Sequence, residues 1–299
     1  MEVIILGSAA GGGVPQWNCR CRVCQLAWAG DKRVVARTQS SLAVSADGED
    51  WILVNASPDI RQQIFDTPAL RPRRGRRDSP VVAVVLTNGD LDHVAGLLGL
   101  RERQALTIYA TPQTLRMLQG NRIFDVLDPE LVRRESVGLG ETFAPLPGLA
   151  IEFFAVPGKL PLWLEEVTPV IGQETESTVG VMLGLRGRRA AYVPGCAAVS
   201  EAVRRHIDGV DLLLFDGTLW LDDEMIEAGV GNRTGRRMGH MPMSGADGSI
   251  AALATVRAER RVFVHINNTN PALVRGSSER VALEAAGWTV GYDGMAFSL

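Results

Sequence analysis

The stretch VVAVVLTNGDLDHVAGLLGL, residues 81–100, decides the fold that we expect for this chain. It opens with VVAVVLT (81–87), an unbroken and largely β-branched run that is typical of a strand buried on both faces. The apolar run after His93 can start a helix, so Asp92 and His93 lie at a strand-to-helix turn. Consecutive side chains at such a turn can both reach one metal ion. The alternative is an aspartate that caps the helix beside a surface histidine.

The segments around this stretch predict more strands than helices. SLAVSAD (41–47) and DWILVNAS (50–57) flank turn residues and predict a β-hairpin, followed by a short helix over 58–65. The EVIIL run (2–6), the glycine-rich turn over 7–13 and the cysteine segment after it predict a strand that leads into a loop. Further strands are predicted at 106–110, 150–156, 178–186, 189–193, 211–215, 261–267 and 288–298. Further helices are predicted near 93–103, 112–119, 197–207, 244–258 and 277–287.

This order of elements favours an α/β fold with two mixed β-sheets packed together and helices outside, over a doubly wound parallel sheet. The chain has 299 residues and is 46% hydrophobic, so it can bury a large core. We therefore expect a single domain over residues 1–299.

Charge and hydropathy exclude several classes of function. The net charge of −3 gives no field that would attract nucleic acid, and the arginine-rich segment 71–80 carries no aromatic residue, so it predicts a solvated loop. MEVIIL (1–6) is too short and too acidic for a secretory signal, and no apolar run approaches the roughly 20 residues that span a bilayer. We expect a cytoplasmic protein without membrane insertion or nucleic-acid binding.

Three of the four histidines lie where one element changes into another, which is a usual place for functional residues. His93 follows the first strand described above, His240 precedes a predicted helix and His265 lies at the end of a predicted strand. Asp216 likewise follows the strand 211–215. The fourth histidine, His206, falls on a predicted surface helix and is left out of the site.

Cys19, Cys21 and Cys24 crowd together in a C-x-C-x-x-C pattern. Three thiolates at this spacing fit three corners of a tetrahedral zinc ion in a closed, structural site. The spacing does not identify the fourth ligand. Cys196 follows a Pro-Gly turn and is expected to be a small buried residue. The glycines of the segment 7–13 lack the ending of a phosphate loop, so we expect them to let the backbone pass close to the metal site.

Five motifs together resemble the metallo-β-lactamase superfamily and, more closely, its coenzyme PQQ synthesis protein B family. They are CRCRVC (19–24), TNGDLDH (87–93), FDGT (215–218), MGHMPMS (238–244) and VHINNTNP (264–271). The resemblance covers the whole chain. It implies a four-layer αββα sandwich and a role in the biosynthesis of pyrroloquinoline quinone (PQQ).

The departures from the superfamily pattern are informative. Hydrolases of this class carry His-x-His-x-Asp-His, and here Asn88 and Asp90 stand at the first two histidine positions. The mid-chain ligands of those hydrolases are also not evident at 156–159 or 194–196. One half of a two-metal site is therefore missing, which disfavours two-metal hydrolysis. The surviving set is Asp92, His93, His240 and His265.

Two histidines and a carboxylate with open positions suit non-haem Fe(II) and oxygen activation, although zinc generally binds such sites more tightly than Fe(II). The resemblance implies hydroxylation, by an iron-dependent oxygenase, of the tyrosine ring of a Glu-Tyr-derived precursor. The alternatives are a carrier that helps to move PQQ or its precursor to the periplasm, and a metal-dependent hydrolase. The expected partners are the Glu-Tyr-type substrate and O2, with other PQQ-pathway proteins and a second copy of the chain as further candidates.

The remaining site residues are expectations of the same kind. Asp216 is expected to orient a metal ligand or to act as a base, and either Asp90 or Asp216 can complete or replace a ligand. Lys159 is the first candidate cation for the carboxylates of the substrate, with the arginines at 233, 236 and 237 as others. In related phosphodiesterases a histidine closes the cysteine site, and Asn268 stands at the equivalent position, with Asn267 and Asn270 as alternatives.

Overall fold

The structure is a computed structural model that describes residues 1–164 and 170–299. The strands are β1 (Glu2–Gly7), β2 (Ser41–Ser45), β3 (Trp51–Val54), β4 (Val81–Val85), β5 (Leu106–Ala110), β6 (Val132–Ser136), β7 (Thr142–Leu146), β8 (Leu149–Gly158), β9 (Gln173–Leu185), β10 (Arg188–Val193), β11 (Val210–Asp216), β12 (Ala258–Val264), β13 (Thr289–Val290) and β14 (Ala296–Ser298). The α-helices are α1 (Arg22–Trp28), α2 (Ile60–Asp66), α3 (Leu91–Val94), α4 (Pro112–Gln119), α5 (Glu201–Ile207), α6 (Glu224–Glu227), α7 (Ser249–Ala252) and α8 (Ser278–Ala285). Short 3-10 turns connect several of them.

The strands form two mixed sheets. In the first sheet the order is β14-β1-β2-β3-β4-β5-β6, antiparallel as far as β3 and parallel from β3 to β6. In the second the order is β13-β12-β11-β10-β9-β8-β7, parallel from β13 to β10 and antiparallel from β10 to β7. The predicted pair of mixed sheets is confirmed.

Three hydrophobic clusters separate four layers. The central cluster lies between the sheets and joins residues such as Ile5 and Val44 of the first sheet to Leu212 of the second. A second cluster packs the outer face of the first sheet against α2 and α4. A third packs the outer face of the second sheet against α5 and α8, and it includes the three clustered cysteines. The αββα sandwich expected from the sequence is confirmed.

Strand β4 is buried on both faces, as its sequence predicts. Ala83 and Val85 belong to the cluster between the sheets, whereas Val84 and Leu86 belong to the cluster under the helices. Parallel strands deliver their carboxyl ends to one edge of a sheet, where crevices form in α/β proteins. The residues after β4 therefore reach an edge at which the two sheets can meet around a site.

Two predicted elements are wrong in detail. The predicted helix 244–258 is reduced to α7, because Gly245 has a positive φ of 88° and a side chain at Gly248 would lie 2.1 Å from the Ser244 carbonyl oxygen. The predicted strand 288–298 is divided into β13 and β14, which belong to different sheets. Its break falls at Gly291, where a Cβ atom would lie 3.0 Å from the Phe263 carbonyl oxygen.

Strands β6 and β7 were not predicted, and the cysteine segment contains the helix α1 where a loop was expected. Strand β6 carries mostly polar residues, so its sequence lacks the apolar run on which the other predictions rest. In residues 1–164 and 170–299, no helix is long and apolar enough to cross a membrane.

Candidate metal centres

The first candidate centre lies at the carboxyl ends of strands from both sheets. The segment after β4 supplies Asp92 and His93, β11 ends at Asp216, and His265 follows β12 directly. His265 has a positive φ of 54°, a conformation that is uncommon for residues other than glycine. Such strain persists where the surrounding structure imposes it, which is frequent at functional sites.

Asp92, His93 and His265 form one potential ligand group, whose ligand atoms all lie within 4.8 Å of one another. The Nε2 atom of His265 is 3.1 Å from Oδ2 of Asp92, and Nε2 of His93 is 3.8 Å from the same oxygen. A Cβ atom on Gly11 would lie 3.5 Å from this carboxylate. The glycine-rich loop therefore passes close to the site, as its sequence predicts.

His240 belongs to a second, overlapping group with Asp216 and His265. Its ring stacks on that of His265 with centroids 5.2 Å apart. Among the described residues, the structure does not bring His240 into the same close group as Asp92 and His93. His265 is thus shared by both groups, and the four expected ligands do not form a single close group.

Each of the three histidines uses Nδ1 for a hydrogen bond within the protein. The Nδ1 atom of His93 lies 2.6 Å from Asn88 Oδ1. The Nδ1 atom of His240 lies 2.7 Å from Asp216 Oδ2, and that of His265 lies 2.9 Å from Thr218 Oγ1. With Nδ1–H donating, Nε2 carries a lone pair, which is the arrangement that metal-binding histidines adopt. Nε2 of His93 is buried and has no hydrogen-bond partner among the described residues. A metal ion at this point would satisfy that atom.

Asp216 is fully buried and both of its carboxylate oxygens are occupied. Oδ1 accepts hydrogen bonds from the backbone N–H and the hydroxyl of Thr218, and Oδ2 accepts from the N–H of Cys196 and from His240. A carboxylate with these partners has little capacity left to bind a metal or to take up a proton. Of the roles expected for Asp216, the geometry favours orientation of His240.

The charges of this centre favour a divalent cation. Burial acts to raise the pKa of Asp92 and of Asp216, yet the neighbouring histidines hold both pKa values below the ordinary range. Burial lowers the pKa of His93, which favours its neutral form. Burial acts to lower the pKa of His265, but the hydrogen bond and the charge of Asp92 raise it above the ordinary value. The two buried carboxylates therefore need a cationic partner, and a metal ion can take that role. The residues present therefore fit a divalent metal.

Asp90 and Lys159 lie beside these ligands without belonging to either group. Oδ2 of Asp90 accepts a hydrogen bond from the side chain of Asn88. The aliphatic part of Lys159 packs on Gly239, next to His240, since a Cβ atom on that glycine would lie 3.0 Å from Lys159 Cγ. Of the candidate arginines, Arg236 forms an ion pair with Asp247.

The second candidate centre is the cysteine cluster. The sulfurs of Cys19, Cys21 and Cys24 lie within 4.8 Å of one another, and all three residues are buried and reduced. The Asn268 amide faces them, with Nδ2 3.2 Å from the Cys19 sulfur and 3.3 Å from the Cys24 sulfur. Rotating the amide by half a turn would present Oδ1 in the same direction, and the two ends of an amide are assigned from their hydrogen bonds.

The alternative fourth ligands are engaged elsewhere. The amide of Asn267 donates to Thr269, and the amide of Asn270 donates to the Gly217 carbonyl oxygen. Burial raises the pKa of the Cys21 thiol to about 12, so a cation is needed to hold this cluster as thiolates. Cys196 lies outside the cluster and is fully buried, as expected.

Two residues of the first centre were missed as functional residues. Asn88 was interpreted only as the loss of a histidine, and Thr218 only as part of a motif. The structure places Asn88 against Nδ1 of His93, and it places the Thr218 hydroxyl within 3.1 Å of Nδ1 in both His240 and His265. A short polar side chain just after the end of β4, five residues before His93, was the available signal for Asn88.

We expect Asn88→Leu to weaken metal binding at the first centre by about 10- to 100-fold, the usual effect of losing a residue that orients a metal-binding histidine. Leucine has a similar size but no acceptor for Nδ1 of His93. Asn88→Asp keeps an acceptor, although it also brings a second carboxylate next to Asp90, so an intermediate affinity is expected. Competition titration with a chelating dye measures the affinities. Equal affinities for all three proteins would rule out this role.

Comparisons with known proteins agree with the fold and with the binding of metal. Residues 50–266 match the family model described as a beta-lactamase superfamily domain. The chain is 66% identical over 299 residues to a coenzyme PQQ synthesis protein B from Methylobacterium sp. (strain 4-46), with 100% of both chains covered. It is similar to the crystal structure of Zn(2+)-bound PqqB from Methylobacterium extorquens, with a TM-score of 0.99, 61% identity and 100% of both chains covered. A diphosphatase of the PhnP family shares the fold, with a TM-score of 0.70, 21% identity and coverage of 100% of this chain and 97% of the other.

Proposed function

The chain belongs to the coenzyme PQQ synthesis protein B family of the beta-lactamase superfamily, and hence to PQQ biosynthesis, and from this premise we propose that it is an Fe(II)- and O2-dependent hydroxylase. Its proposed substrate is a Glu-Tyr-derived precursor, and the proposed reaction adds a hydroxyl group to the tyrosine ring. One oxygen atom enters the ring C–H bond and the other leaves as water. An external reductant supplies the two electrons, and solvent supplies the two protons.

One observation carries the proposal: the close ligand group consists of two histidines and one carboxylate, His93, His265 and Asp92. This donor set, with positions left open, is typical of non-haem Fe(II) oxygenases. Asn88 and Asp90 occupy the positions at which a second metal would need imidazoles, and Asn88 is hydrogen-bonded to His93. A bound ferrous ion would supply electrons for the activation of dioxygen.

The protein itself would provide orientation and charge around the reacting ring. Asp216 and Thr218 hold His240 and His265 by their Nδ1 atoms, which keeps both Nε2 atoms directed away from these anchors. We assign to Lys159 the binding of a substrate carboxylate, since its side chain packs beside Gly239 at the edge of the site. We assign to Asp90 Oδ2 the transient acceptance of the proton that the ring carbon releases, which then passes to the new hydroxyl oxygen.

The cysteine cluster would hold a structural zinc ion, with Asn268 Oδ1 as the fourth ligand. Three sulfurs and the Asn268 amide converge in a buried region that α1 and the segment after β12 share. A closed set of four ligands leaves no position for a substrate. This second metal would therefore stabilise the fold rather than take part in the reaction.

Purified protein that is reconstituted anaerobically with Fe(II) tests the hydroxylase proposal. We expect oxygen uptake when ascorbate and a Glu-Tyr peptide are both present, and no peptide-dependent uptake with zinc in place of iron. Absence of peptide-dependent oxygen uptake would contradict the proposal. Tight binding of PQQ without any turnover would instead support a carrier, and metal-dependent cleavage of a phosphodiester would support a hydrolase.

A further inference from the structure

A small cavity lined by arginines lies outside both metal centres. Its volume is about 120 Å³, and Arg33, Arg37, Arg275 and Arg280 line it together with Tyr292. Apolar side chains complete the lining, among them those of Leu273 and Val290. The backbone N–H of Arg275 donates to the carbonyl oxygen of Arg33, which brings two of the arginine-bearing segments together.

Arg37 is the buried member of this group. It is 8% exposed, and its Nη1 atom donates to the Ser8 hydroxyl and to the Gly291 carbonyl oxygen. Its Nε atom is buried and has no hydrogen-bond partner among the described residues. An unmade hydrogen bond on a buried charged group is unfavourable, so the polar groups of the protein only partly satisfy the Arg37 guanidinium.

The positive charge of the cavity is only partly balanced. Arg33 pairs with Asp31 at 2.8 Å, and Arg280 pairs with Glu284 at 2.6 Å. Across the two described ranges, no carboxylate oxygen lies within 4.0 Å of the guanidinium nitrogens of Arg37 or Arg275.

The nearest carboxylate that acts on Arg37 is Asp293, which accepts hydrogen bonds from Ser8 and Thr38 instead. Burial, and after it the positive charges of Arg280 and Arg275, lower the pKa of Arg37 to about 10, against the opposing effect of Asp293. The arginines therefore repel one another across the cavity, and an anion placed between them would relieve this repulsion.

We propose that this cavity, which we call the arginine pocket, binds a compact oxyanion: inorganic phosphate or the anionic end of a small organic acid. Guanidinium groups bind carboxylate and phosphate oxygens through paired, charge-assisted hydrogen bonds. The cavity volume of about 120 Å³ is well below the roughly 300–1,000 Å³ of sites that take drug-sized ligands, so it suits a compact anionic group.

Binding in the arginine pocket would also reach the first metal centre. The Arg37 side chain donates to Ser8, and the carbonyl oxygen of Ser8 accepts a hydrogen bond from the N–H of Ile266, the residue after His265. An anion on Arg37 would hold this segment of the glycine-rich loop in place. We therefore expect the anion to raise the melting temperature of the protein without serving as a substrate.

Isothermal titration of the zinc-loaded protein with phosphate and with succinate, at constant ionic strength in chloride, tests the proposal. We expect saturable binding of at least one anion in the millimolar range or tighter, accompanied by a higher melting temperature. The double variant Arg275→Gln/Arg280→Gln should bind the anion about tenfold or more weakly, since each substitution removes a charged hydrogen-bond donor. Arg101→Gln/Arg122→Gln removes two exposed arginines elsewhere and should leave binding unchanged.

The two anions distinguish the sources of the ligand. Binding of phosphate alone would identify an inorganic or phosphorylated ligand, and binding of succinate alone would identify an organic acid. If the arginine-pocket variant unfolds, Arg275→Gln alone serves the same purpose, because this side chain is exposed. Equal binding by the pocket and control variants, or no saturable binding of either anion, would overturn the proposal.

Discussion

Cys24→Ala is expected to abolish zinc binding at the cysteine cluster and to lower the free energy of unfolding by more than about 4 kcal/mol, the range associated with loss of a metal site. The Cys24 sulfur is fully buried and lies in the same group as those of Cys19 and Cys21. Removing one thiolate leaves the others without the cation that allows them to remain ionised. Since whole domains are stable by only about 5–15 kcal/mol, the variant should be partly unfolded or aggregate on purification.

Cys196→Ala is the matched control, because Cys196 is equally buried in the same hydrophobic cluster but lies outside the group of three sulfurs. It loses only a small packing contribution and the contact of its sulfur with the Ala198 carbonyl oxygen. Thermal unfolding with and without a zinc chelator, together with zinc content, measures both variants. A Cys24→Ala protein that melts like the control and keeps its full zinc content would show that the cluster holds no structural metal.

His265→Asn is expected to lose the metal of the first centre and to reduce hydroxylation by at least about 1,000-fold, while the zinc of the cysteine cluster stays bound. His265 belongs to both ligand groups, so its loss breaks both at once. A metal ion contributes several kcal/mol to a reaction that depends on it, and each 1.4 kcal/mol is tenfold in rate. Asparagine tolerates the positive φ of this position, so the effect is not a consequence of backbone strain.

His206→Asn provides the control for this substitution. His206 lies on α5, stacks on Phe154 and belongs to no ligand group among the described residues. We expect two metals per chain in the control and one in His265→Asn, with similar melting temperatures for the two proteins. Two metals per chain in His265→Asn would place the active-site metal elsewhere.

The architecture was accessible from the sequence because it rests on hydrophobic patterns. The unbroken run of β4 and the runs of β5 and β11 are long enough to specify strands. The failures occurred where short-range patterns do not carry the information. The break between β13 and β14 depends on how closely Gly291 approaches a strand that is distant in sequence.

The candidate site was predictable in its residues but not in its connections. Position at element ends and the family resemblance together suggested Asp92, His93, His240 and His265 as candidate ligands. Hydrogen bonds between distant segments decide how each histidine is oriented. The pairing of Asn88 with His93 turns a position that appeared only to have lost a ligand into one that orients a ligand. The stacking of His240 on His265 likewise could not be derived from spacing alone.

The most direct test of the hydroxylase proposal is to follow the source of the oxygen in the product. The iron-loaded protein would be given a Glu-Tyr peptide and ascorbate under isotopically labelled dioxygen, and separately in labelled water, with the product analysed by mass spectrometry. We expect the new hydroxyl group on the tyrosine ring to carry the label from dioxygen and not from water. A product labelled from water, or a peptide that is bound but returned unchanged, would contradict the proposal.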